Sequence, residues 1–406
     1  MRKILFIIFL GTLAAGAFLF LNTTYTFKVG AGAVSEPEKP AGVSGIIGKL
    51  ITIGEEQQAT IESKNDIENQ KPLSEKPTAV KAIYSTAWSA GSAKKIDYFI
   101  DLIKTTELNA IVIDIKDYSG YVAYDINDPF VNKYKAKDIK ISKINSLIKK
   151  LHDQGIYVIA RIAVFQDPIL AKNRPDLAVQ SKSTGLTWLD RKNLAWTDPA
   201  SQEVWDYNLA IAKDAASRGF DEINFDYIRF PSDGDIADMV FPVYDTTSPK
   251  HLTMRKFFQY VRNNLPETPI SADLFGLAGI VNDDLGIGQV LEDALPYFDA
   301  VSPMAYPSHY AVNFMGFKNP AEYPYEVVRN TMATAMARLH KLGEQGMENK
   351  PKLRLWLQDF NMGATYDAAM VRKEIQAVEE IDATSGWMLW NPSNVYTKGA
   401  LIPEKS

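Results

Sequence analysis

The stretch Gly219-Phe220-Asp221-Glu222-Ile223-Asn224-Phe225-Asp226-Tyr227-Ile228-Arg229-Phe230-Pro231 decides the fold. A helical segment leads into it. That helix begins at Asp198-Pro199, an N-cap residue followed by proline in the first turn, and stops at Gly219. A very short link then gives way to a strand over Glu222–Asp226. Side chains alternate across a strand, so Ile223 and Phe225 face one layer while Glu222, Asn224 and Asp226 face the other. After the strand comes a long polar loop, 231–248, before the next helix. Short helix-to-strand links and long strand-to-helix loops are the signature of a parallel α/β fold with its working face at the strand C-termini.

The same unit repeats outward in both directions. Strands are predicted at Ala82–Ala87, Ala110–Ile115, Tyr157–Val164, Glu222–Asp226, Ile270–Phe275, Ala300–Ala305, Leu353–Gln358 and Trp387–Trp390. Between them, apolar residues recur at helical spacing, as in Ile96, Phe99, Ile100 and Ile103, or Ile144, Leu147, Ile148 and Leu151 followed by a terminating Gly155. A late helix places Val371, Ile375 and Val378 on one face. Eight such strands alternating with helices predict a closed (β/α)8 TIM barrel. The competing doubly wound open sheet calls for a glycine-rich phosphate loop after its first strand. Trp88-Ser89-Ala90-Gly91-Ser92 does not make one.

The remainder of the chain is organised differently. Of its 406 residues, Arg2 and Lys3 precede an apolar run from Ile4 to Leu21. As a helix these residues reach roughly 27 Å, enough to cross a bilayer core. We read residues 1–25 as a membrane anchor with the rest exported, or as a signal peptide if Ala31-Gly32-Ala33 is a cleavage site. No aromatic residue lies between Phe27 and Tyr84, and residues 26–78 read as a flexible linker. The folded domain is expected over 79–406. Lys+Arg total 44 and Asp+Glu 49, a net charge of -5, which does not point to nucleic acid. There is no cysteine, which excludes disulfides, thiolate metal sites and a cysteine nucleophile. The four histidines are scattered, so no metal site is expected.

Extending the alternation to the other strands brings polar side chains to one mouth. Asp114 and Lys116 end the second strand, Arg161 lies on the third, Asp273 on the fifth, and Trp356 and Gln358 on the seventh. Asp114, Lys116 and Arg161 read equally well as a buried ion network or as substrate ligands. Asp226 is the residue expected to do chemistry, because it ends the fourth strand beside Tyr227 and Arg229. Trp88, Tyr227, Tyr306, Tyr310, Trp356 and Trp390 fall at strand ends, where they are either core or stacking platforms for sugar rings. His309 lies just past the sixth strand, in reach of a substrate hydroxyl. Trp188 and Trp196 sit in the long third loop, as lid or loop anchors.

The fourth-strand stretch resembles a motif of a bacterial glycosyl hydrolase domain family, a TIM barrel distantly related to the alpha-amylase-like glycosidases. Val301-Ser302-Pro303-Met304-Ala305-Tyr306-Pro307-Ser308-His309-Tyr310 resembles that family's sixth-strand motif. Lys81-Ala82-Ile83-Tyr84 and Ile113-Asp114-Ile115-Lys116-Asp117 fit as well, so the resemblance spans roughly Val80 to Ser393. It implies glycoside hydrolysis without a cofactor, with Asp226 at the nucleophile position. A chitinase-type mechanism would need a Glu two residues further on, and this chain has Ile228 there. Hydrolysis requires a second carboxyl. Asp273 is the preferred acid because amylase-like enzymes take theirs from the fifth strand, though as Glu. Asp359 and Asp117 are rivals. The expected substrate is an extracellular or cell-envelope polysaccharide. The alternatives are a non-catalytic carbohydrate-binding barrel and a purely structural stalk and head.

Overall fold

The computed structural model describes residues 66–404. The expected anchor, and the linker as far as residue 65, lie outside the described residues. Among those described, no helix is long and apolar enough to cross a membrane.

Eight parallel strands close into a barrel. They are β1 (Lys81–Ser85), β2 (Ala110–Lys116), β3 (Tyr157–Ala163), β4 (Glu222–Asp226), β5 (Ile270–Phe275), β6 (Ala300–Met304), β7 (Leu355–Gln358) and β8 (Trp387–Trp390). Each pairs with the next, and β8 pairs with β1. The gap between β6 and β7 is closed by the short strand Lys352–Leu353 along β6 and by Trp356 opposite Met304. Closure excludes the open doubly wound sheet. All eight expected strands are present, three with the expected bounds and five with an end shifted by one or two residues.

The helices that follow the strands are α1 (Ala93–Lys104), α2 (Ile144–His152), α3 (Gln202–Ser217), α4 (Lys250–Asn264), α5 (Leu291–Ala294), α6 (Pro324–Glu344) and α7 (Ala368–Asp382), with short helical turns at Ala87–Ala90, Pro129–Lys133 and Pro168–Asn173 in the loops. Strand residues Ile111, Ile113, Val158, Ile162, Ile223 and Phe225 join the large apolar cluster beneath them. Ala82, Tyr84, Val112, Ile159, Trp356 and Met388 form a second, smaller cluster inside the barrel. The period-two reading of the strands is therefore correct in its main lines, with one departure at Lys116 described below.

The start of α3 differs from expectation. Ser201 is its N-cap, accepting from the Val204 amide. Asp198 instead accepts from the amides of Ala200 (2.9 Å), Val243 (2.7 Å) and Tyr244 (2.9 Å). It ties the third mouth loop to the fourth. A short antiparallel pairing of Gln180–Ser181 with Met239–Val240 does the same.

Residues 66–78, expected as the end of a flexible linker, are bonded to the barrel domain. Asp66 accepts from the amides of Asn145 (2.7 Å) and Ser146 (2.9 Å) at the start of α2, whose own N-cap residue Lys143 makes no side-chain bond. Further along, the Gln70 amide donates to the Arg218 carbonyl and the Leu73 amide to Asp221. Gly219 serves this docking: its φ is +98°, and a Cβ there would lie 2.6 Å from the Gln70 carbonyl oxygen. Removing a capping carboxylate costs about 1 kcal/mol. Asp66→Ala should lower the domain's stability by about that much in urea denaturation. An unchanged midpoint would mean the segment carries no stability.

Candidate active site

The mouth is organised by one cation. The Arg161 guanidinium, on β3, bonds the carboxylates of Asp114 on β2 (2.5 Å) and Asp226 at the tip of β4, and its Nε lies 3.6 Å from Asp273 on β5. The rings of Trp390 and Tyr84 stack on each other at 3.8 Å, and the guanidinium sits 5.1 and 5.7 Å from their centroids. Tyr84 also donates to Asp114 at 2.5 Å. Sequence reasoning placed Tyr84 in a motif but not in the site. Its alternation with Ala82 near the end of β1 was the signal that puts it inside.

The three carboxyl groups are not equivalent. Asp273 is 1% exposed. One of its oxygens accepts from Asn224 Nδ2 (2.9 Å) and Trp356 Nε1 (2.8 Å), while the other has no hydrogen-bond partner. Burial, and then the nearby charge of Asp226, pushes the Asp273 carboxyl up to about 7. Burial also raises Asp114, though Arg161 and Tyr84 oppose it. Asp226 is 5% exposed. Besides Arg161, it accepts from the Tyr227 amide at 2.5 Å. Tyr227 has φ +53°, a left-handed conformation that costs a non-glycine residue free energy. The turn it makes aims its amide back at Asp226. Three carboxyls thus share one guanidinium, and the most enclosed of them, Asp273, has the raised pKa.

The rest of the expected site sorts by position. Lys116 is not at the mouth. A β-bulge between Asp114 and Lys116 sets Lys116 opposite Ile162, which faces the helices. Its ammonium is fully buried there against Asp167 (2.8 Å), the Ala163 carbonyl and Asn208. Gln358 is buried, accepting from the Ser308 hydroxyl and donating to the Phe360 carbonyl. Asp359 clamps the chain after β8 through the amide and hydroxyl of Thr397. Asp117 accepts from Ser119 within a turn. Neither Asp359 nor Asp117 belongs to the Arg161 cluster, whose carboxyls are Asp114, Asp226 and Asp273. Trp356 forms the floor beneath Asp273. Tyr306 packs against exposed His309 and against Phe360, and burial, followed by the charges of Asp273 and Asp226, raises its pKa. Tyr310 donates to or accepts from Thr331 and is core, while Trp188 anchors its loop to the Asp235 carbonyl. Trp88 is the exception among the tryptophans, 69% exposed on the β1 loop.

At the opposite end of the barrel interior, Glu222 is bonded by Arg354, Ser271 and Tyr157. That cluster plugs the far end of the barrel. The chemistry-bearing groups therefore sit on the side where a barrel's strand-to-helix loops open.

Residues 82–396 match the family model described as "Putative glycosyl hydrolase domain". The chain belongs to this family. A hypothetical protein from Ruminiclostridium thermocellum ATCC 27405 is 39% identical, covering 50% of this chain and 98% of that one, with a TM-score of 0.44. The glycoside hydrolase domain of PgaB (BpsB) from Bordetella bronchiseptica is 14% identical, covers 80% of this chain and 100% of that one, and gives a TM-score of 0.57. Alpha-L-fucosidase isoenzyme 2 from Paenibacillus thiaminolyticus is 11% identical over 79% of this chain and 48% of that one, with a TM-score of 0.50. The last two share the barrel fold with this glycosyl hydrolase domain. No curated protein matches its sequence.

Proposed function

We propose that this glycosyl hydrolase domain cleaves an O-glycosidic bond in an extracellular or cell-envelope polysaccharide, with Asp226 as the charged carboxylate and Asp273 as the acid. The observation that carries the reading is the pairing itself. Two carboxyls on neighbouring strands lie against one guanidinium, and burial with the nearby charge of Asp226 raises the one on Asp273 to about 7. Two carboxyls pushed toward different protonation states are what glycoside hydrolysis requires. Asp226 then attacks the anomeric carbon, or activates water if the enzyme inverts. Asp273 gives its proton to the leaving oxygen. Trp88 and the exposed face of the Tyr306 and His309 loop supply surfaces for flanking sugars. The apolar segment 4–21 would hold the domain at the outer face of a membrane.

One observation favours a second reading, a carbohydrate-binding barrel without turnover. Both carboxyls are nearly enclosed and already bonded within the ion cluster. Release of reducing ends from a panel of envelope polysaccharides by the full chain separates the two. Hydrolysis predicts release, with a rate that falls as pH rises through about 7 because Asp273 must keep its proton. Retention of a glycan with no release at any pH leaves the binding reading. Stability should follow the same group. An unfolded Asp ionises near 3.9 and folded Asp273 near 7, so its contribution is present below about pH 4 and lost as pH rises to about 7.

A further inference from the structure

We infer that the mouth binds a saccharide bearing a negatively charged group, a carboxylate or a sulfate ester, on the guanidinium of Arg229. This deepens the proposed function by naming the substrate class, and it rests on the same mouth.

Four arginines are buried among the described residues: Arg161, Arg229, Arg338 and Arg354. Arg161 bonds Asp114, Arg338 bonds Glu292 and Arg354 bonds Glu222. Arg229, 9% exposed, has no carboxylate within 4 Å among the described residues. Its Nη1 donates to the Phe230 carbonyl (3.0 Å) and to the Ser232 hydroxyl (3.1 Å). Its Nε and Nη2 donate to no protein group among the described residues, although a guanidinium carries five N–H donors. Burying a cation without a partner is costly, and such groups are ordinarily paired.

Aromatic rings hold this guanidinium in place. Its centre lies 4.7 Å from the ring of Trp196, 4.8 Å from Phe275 and 5.8 Å from Tyr227. Tyr227 directly follows Asp226 at the end of β4, while Phe275 ends β5 and Trp196 lies on the loop after β3, one strand to either side. The carboxylates that act on Arg229 from farther off are already engaged. Asp226 holds Arg161, Asp233 pairs with Arg191 at 3.5 Å, and Asp190 accepts from Gln166 and Trp196. Stacking offsets part of the burial cost and fixes the plane of the fork. A flat, pre-oriented guanidinium with free N–H groups matches a carboxylate or sulfate bidentately. Burial lowers the pKa of Arg229, the direction expected of a cation still lacking its anion.

The test uses the full chain carrying Asp226→Asn, so that bound glycans are retained. It is presented with envelope oligosaccharides in three sets: neutral, uronate-bearing and sulfated. Retention of an acidic set about tenfold or more tightly than the neutral set is expected, with the favoured set identifying the anion. Arg229→Gln should remove that preference, and Arg229→Lys should restore only part of it because ammonium lacks the planar fork. Retention of neutral glycans alone, of none, or of all sets equally would overturn the inference, even if the Arg229 variants do not fold. Cleavage of neutral glycans by the wild type would leave hydrolysis standing and remove the anion site. Retention of acidic glycans that wild type never cleaves would do the reverse.

Discussion

Asp226→Asn is expected to lower kcat on any polysaccharide the protein cleaves by roughly three orders of magnitude or more, since the substitution removes the attacking or base-acting oxygen from the reaction. The fold should survive. Asn keeps the shape of the side chain, and Arg161 retains Asp114 and Asp273 as partners. The substitution also removes the like charge that helps raise Asp273, so that carboxyl should titrate lower than in the wild type. Reducing-end release and a pH titration of Asp273 by NMR check the two halves. Cleavage that persists unchanged in the variant would take Asp226 out of the mechanism. An unmoved Asp273 would mean the two carboxyls do not share a field.

The second large effect belongs to stability. Arg161→Gln leaves three buried carboxyls without their common cation. Breaking a buried pair from one side costs about 3–5 kcal/mol. A fall of about 10 °C in the thermal midpoint near neutral pH follows from that loss. The deficit should depend on pH in a definite direction. Without the guanidinium, burial holds the folded-state pKa of Asp114 and Asp273 further above the value near 3.9 of an unfolded Asp. Groups raised on folding cost nothing below that value, and their cost grows as pH rises through it. The variant should therefore approach wild-type stability near pH 4 and fall furthest behind near pH 8. Denaturation at both pH values measures this. A deficit of equal size at both would mean that Arg161 acts through packing and not through charge.

Much of this protein is legible from the chain. The eight strands announce themselves because a parallel barrel strand is buried on both faces. Its residues are then apolar or β-branched except where one points to the mouth, as in Glu222–Asp226. Alternation alone assigns Asp226, Arg161, Asp114, Asp273 and Trp356 to the interior, and the structure gathers the three carboxyls around the Arg161 guanidinium with Trp356 bonded to Asp273. Alternation fails at Lys116, where a bulge adds a residue and reverses the side-chain direction. It is also silent on depth: Gln358 points inward yet is enclosed by loop contacts. The docking of residues 66–78 escapes any reading by composition, because polar residues also cap helices and bond exposed carbonyls.

The sequence by itself determined the closed barrel, the strand whose tip carries Asp226, and the membership that the fourth- and sixth-strand motifs foreshadow. Those depend on local rules of period, capping and loop length. Tertiary structure alone decided which charges share a partner. It placed three carboxyls around Arg161 and enclosed Asp273 so that its pKa rises. It also sent Lys116 to Asp167 and left Arg229 among aromatic rings with no carboxylate within 4 Å among the described residues. Such pairings join side chains from different strands at separations set by closure and bulging, and no spacing along the chain encodes them.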